Sequence, residues 1–110
     1  MTKKSEEDML LYRPPLSETS QARIFTLIEK CINTQRRLES AMQNLSDESL
    51  REATIMMGDT RSYRRILVED LVKTYESAAV LENIRIIEKA MTLMAPRLEN
   101  ICRIAGNTDE

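Results

Sequence analysis

VLENIRIIEKAMTLMAPRLENICRIA, residues 80–105, is the stretch that decides the fold. Apolar residues recur at Val80, Ile84, Ile87, Met91, Met94, Leu98, Ile101 and Ala105, in alternating steps of four and three. That spacing draws one continuous stripe along a helix of 3.6 residues per turn, the pattern of a helix that packs against other helices. Leu81, Ile86, Ala90, Leu93, Cys102 and Ile104 add a second apolar flank, so the band is wider than one neighbouring helix would cover. Pro96 has no N–H to bond Thr92; because the stripe keeps its phase on both sides, it predicts a bend and not an end. Arg103 in the last turn and Gly106 after it are expected to close the helix.

Upstream, the same periodicity yields two more helical segments with sharper start signals. Ser17, Thr19 and Ser20 offer N-caps for a first helix reaching about Asn44, with a stripe at Ile24, Ile28, Cys31, Leu38, Met42 and Leu45. Gln35 occupies the one gap in that stripe. Ser46 followed by Asp47 and Glu48 marks the next N-terminus, with Leu45 and Leu50 placed as a hydrophobic staple. The second helix is expected to run to Met57, where Gly58 can take a left-handed stop and Asp59 or Thr60 can cap a third helix. A continuous helix through Gly58 is the alternative, since one internal glycine costs only ~1 kcal/mol. The third helix should cover about 60–77. With no breaker before residue 80, the sequence leaves open whether it and the last helix are one bent rod or two helices; the stripe changes phase near Ser77-Ala78-Ala79, which favours a bend there.

The expected architecture is therefore all-α: an antiparallel bundle of three or four helices with a long, bent C-terminal helix. Residues 1–16 read as an extended or flexible N-terminal arm, held straight by Pro14 and Pro15 and carrying Met9, Leu10, Leu11 and Tyr12. Residues 17–106 form the single bundle domain, and 107–110 a polar tail. The whole chain has 110 residues, 42% of them hydrophobic and 31% charged, which suits one folded domain and not two. Gly and Pro together number five, too few for the frequent turns of an all-β fold.

Composition also narrows function. The chain has no His, so the usual general base and the commonest metal ligand are missing. Cys31 and Cys102 lie at apolar helical positions with no basic partner in sequence, where a thiol is inert. No phosphate loop, metal-ligand spacing or cofactor motif is present, so no catalytic, metal or cofactor residue is assigned, no small-molecule substrate is expected, and a non-enzymatic role follows. The acidic residues Glu29, Glu69, Asp70, Glu82, Glu88 and Glu99 read as solvated or flanking. No apolar run approaches the ~20 residues of a membrane span, and residues 1–8 lack the apolar core of a signal peptide. Unpaired thiols and the absence of such segments point to the cytoplasm.

What remains is the apolar surplus. An interaction module, such as an adaptor or chaperone that binds a partner helix or self-associates, is the expected role. Its interface is expected at Leu10, Leu11, Tyr12, Ile84, Ile86, Ile87, Met91, Leu93, Met94, Leu98 and Ile101. The internal methionines, Met56, Met57, Met91 and Met94 among them, suit adaptable packing against a partner. The alternative is a nucleic-acid-associated regulator: residues 47–73 superficially match a helix-turn-helix, with Arg61, Arg64 and Arg65 on phosphates. Against it, Arg64 then falls where that motif needs a buried aliphatic residue, and the net charge is −2.

Overall fold

A computed structural model describes residues 14–107, and these form three helices: α1 (Glu18–Met42), α2 (Asp47–Lys73) and α3 (Ala78–Asn107). Among the described residues there is no strand, only an isolated antiparallel bridge between Pro15 and Tyr75. Paired side chains give the directions. Glu76, just after α2, bonds Ser17 before α1, while Arg64 reaches Gln35 farther along, so α1 and α2 run antiparallel. Asp70 meets Asn83 and Glu52 meets Arg97, so α2 and α3 also run antiparallel. Arg23 pairs with Glu88 and Arg37 with Glu99, which leaves α1 and α3 parallel.

All eight heptad residues of α3, from Val80 to Ala105, are buried. They meet Ile24, Leu27, Cys31 and Leu38 of α1 and Ala53, Met56, Met57 and Leu67 of α2 in a single core. Burying each large aliphatic chain here contributes about 1.5–3 kcal/mol against its exposed state, which is why the periodic stripe determines the packing. The four methionines named above all lie in this core, so they fill space inside the chain.

The helix boundaries differ from expectation at three places, each for a local reason. Gly58 does not stop α2: it has no positive φ, it faces outward, and the helix continues to Lys73. Met56, Met57 and Thr60 around it are buried, and their packing outweighs the ~1 kcal/mol an internal glycine costs. The break comes instead at Thr74, which takes a left-handed conformation (φ 61°, ψ 8°). The third and fourth expected helices are thus not one bent rod. Ser77 starts α3 by accepting a hydrogen bond from the Val80 N–H through its Oγ (3.2 Å) and from the Leu81 N–H through its carbonyl (3.0 Å). At the far end Gly106 lies inside α3, which runs on to Asn107.

A left-handed threonine costs about 1–2 kcal/mol, so something must hold it. The Leu16 N–H donates to the Thr74 carbonyl (3.1 Å), and the Glu76 N–H donates to the Pro14 carbonyl (2.8 Å). Leu16 is itself buried in the core. Residues 14–16 therefore form an extended clasp on the turn between α2 and α3. Ser17 caps α1, its Oγ accepting from the Ser20 N–H (3.1 Å). Glu76 Oε1 accepts from the Ser17 N–H (3.2 Å) and the Ser20 hydroxyl (2.7 Å), placing a carboxylate at the positive end of α1. Those hydrogen bonds, that of Ser20 foremost, hold the Glu76 carboxyl below the usual Glu range. Ser46 occupies the N-cap position of α2 as its sequence implies, but its side chain makes no capping hydrogen bond.

Candidate interaction surfaces

Of the residues expected at an interface, the bundle places Ile84, Ile87, Met91, Met94, Leu98 and Ile101 inside its own core. Leu10, Leu11 and Tyr12 lie outside the described residues. Ile86 and Leu93 are open, at 48% and 64% exposure. They are seven positions apart and so share one face of α3, on the side toward α2, where Asn83 and Arg97 make their contacts. The half-buried Ala90 lies between them. On α2, Ile66 is half-buried and Ile55 is exposed, and the Asp70–Asn83 and Glu52–Arg97 pairings bring this side of α2 alongside. The result is an apolar strip flanking the α2–α3 seam.

The α1–α3 side is different. Two ion pairs bridge it: Arg23 grips Glu88 with Nε and Nη2 (2.9 and 2.5 Å), and Arg37 holds Glu99 (2.7 Å). The bonds to arginine lower both carboxyls below their usual range. Lys30 lies between these pairs, with Met91, Met94 and Leu98, in a depression of about 370 Å³. With such exposed partners each bridge contributes little, ~0–1 kcal/mol, and chiefly sets the parallel register of the two helices.

On the α1–α2 side the three arginines of the alternative reading come together. Residues 47–73 are one helix, so the helix-turn-helix placement of Arg61, Arg64 and Arg65 does not hold. They lie on a single face of α2 with Val68, and Arg64 Nη1 donates to Gln35 Oε1 across the helix pair (3.1 Å). Phe25 on α1 and Val72 on α2 are the exposed large apolar residues of these two helices nearest the clasp end.

One detail, the burial of Asp70, escaped the sequence. Asp70 is not solvated: it is 1% exposed, its oxygens accepting from Lys73 Nζ (3.1 Å) and Asn83 Nδ2 (2.9 Å). The signal was its place on the stripe Met56, Thr60, Tyr63, Leu67, Asp70, where a carboxylate must find donors once buried. Cys31 is fully buried, which pushes its thiol up to about 11, against a smaller opposite effect from Arg64. Cys102 is half-buried, and both thiols are free. Among the described residues no group of His, Cys, Asp and Glu could hold a metal ion, and no helix is long and apolar enough to cross a membrane. Comparison of the chain with protein-family models, curated proteins and solved structures gave no match.

Proposed function

We propose that this protein is a non-enzymatic helical interaction module of the cytoplasm, an adaptor or chaperone that holds an amphipathic helix against the outer strip of α3. That helix belongs to a partner or to a second copy of the chain. The observation that carries the reading is the pair Ile86 and Leu93, large aliphatic side chains left about half and two thirds exposed on one helical face. Covering Leu93 alone would return about 1–2 kcal/mol. A stable contact needs roughly 800 Å² per partner, so the strip must extend over Ile55, Ile66 and Ala90. Within this reading α3 bends at Pro96, just beyond Leu93, and the bound helix follows the straight part.

The test is light scattering of the purified protein over a dilution series, with Leu93→Asp and Ile86→Asp beside the wild type. The expected result is a concentration-dependent mass above the monomer, or retention of a partner helix, lost in both variants while circular dichroism is unchanged. A wild type that stays monomeric and retains nothing that Leu93→Asp does not also retain would sink the reading.

A further inference from the structure

The α1–α2 face holds a cleft of about 350 Å³ lined by Gln35, Arg61, Arg64, Arg65, Val68 and Glu69. Elsewhere among the described residues Arg23, Arg37, Lys73, Arg85 and Arg97 each hold a carboxylate, whereas Lys30, Arg36, Arg51, Lys89 and Arg103 hold none but are not gathered in one cleft. Arg61, Arg64 and Arg65 make no ion pair among the described residues, although Glu69 is one turn from Arg65. Three guanidinium groups less the Glu69 carboxylate leave the cleft a net charge of +2.

Gln35 supplies an independent observation. It is 8% exposed, its Oε1 accepts from Arg64, and its Nε2 is buried without a partner. Turning the amide over does not help, because arginine offers only donors and would then face an N–H group. A buried donor left unbonded is costly, and because Gln35 lines the cleft, a turn of its side chain toward an acceptor there would relieve that cost.

We propose that this cleft is a binding site for a phosphomonoester. At pH 7 such a group carries about −1.5 to −2 charges, which matches the cleft, and its oxygens suit the forked guanidinium donors. Once turned toward the ligand, the Gln35 amide contributes a neutral donor, and Val68 an apolar wall for the organic part of the ester. Glu69 opposes any anion, which the three arginines outweigh. A phosphodiester backbone, with one charge per phosphate, meets the site less well. This inference is independent of the α3 strip.

The experiment is an NMR titration of the ¹⁵N-labelled chain with inorganic phosphate, O-phosphoserine and an octathymidylate without terminal phosphates, each against sodium chloride at equal ionic strength. Both phosphate and O-phosphoserine should give saturable shifts of the Gln35 side-chain amide and of the Arg61, Arg64 and Arg65 Nε–H signals. Arg64→Ala should weaken binding about tenfold. Gln35→Met, which removes the donor and keeps the volume, should weaken it several-fold with unchanged circular dichroism, and Glu69→Gln should tighten it. Shifts no larger than those of chloride, or wild-type affinity in both Arg64→Ala and Gln35→Met, would overturn the proposal. So would saturation by inorganic phosphate alone, which assigns the free ion, or tighter binding of the oligonucleotide per phosphate, which assigns a nucleic-acid backbone.

Discussion

Asp70 and Gln35 both place a polar group on an apolar stripe, and the regions around them answer that in opposite ways. At the clasp end, Asp70 is bonded at both oxygens, Glu76 serves the start of α1, and the left-handed Thr74 is held by backbone bonds from residues 14–16. At the waist, Gln35 keeps a donor unbonded, Arg64 has an amide where a carboxylate would serve better, and Gly58 stands in open space. Full satisfaction marks a joint that fixes how three helices meet. Partial satisfaction marks a place where the fold leaves room for something else.

Substitutions separate the two regions most sharply at the buried polar groups. Asp70→Ala leaves Asn83 and Lys73 without their acceptor and opens a void, and should cost about 2–4 kcal/mol in urea unfolding. Gln35→Met removes an unbonded donor at nearly constant volume but also the acceptor of the Arg64 bond, and should be neutral to within about 1 kcal/mol. Equal losses at the two sites would erase the distinction. Next in size is Thr74→Gly, which relieves the left-handed strain and should raise stability by about 1 kcal/mol, provided the clasp is intact. Gly58→Ala follows: a Cβ there meets nothing within 4 Å and φ is not positive, so about 0.5–1 kcal/mol should be gained in thermal unfolding.

The weakest effect belongs to acid. The folded state depresses the Glu76 carboxyl, so its contribution is fully present above the unfolded Glu value of about 4.3 and is lost as pH falls through the lower folded value. A stability profile of Glu76→Gln should therefore be flatter than the wild type below about pH 4. Coincident profiles would remove the capping role.

The residues legible in the sequence are those whose effect is local and repeated. Each heptad position of α3 is buried because 3.6-residue geometry alone aligns them, and Ser17 caps α1 through a bond three residues away. The sequence misleads at single residues whose conformation is set at a distance. Gly58 permits a left-handed turn without requiring one, whereas Thr74 adopts it because Leu16 and Pro14 bond the turn beyond it. Ser77, at the phase change, was the available sign that α3 starts afresh. Width of an apolar band likewise does not tell inside from outside: Ile87 and Ile86 are adjacent in sequence, yet one is core and the other faces solvent. The arginine cluster was visible as a cluster, but its meeting with Gln35 depends on how α2 lies on α1.

The clasp between residues 14–16 and 74–76 has a kinetic meaning as well. The two helical hairpins form from neighbours in sequence, whereas Ser17 and Glu76, 59 positions apart, lie at the open end of the α1–α2 hairpin and meet only when that hairpin has closed along its whole length. Contacts made after the folding barrier alter the rate of unfolding and leave the rate of folding nearly untouched. The clasp thus sets how long the folded molecule lasts more than how quickly it forms.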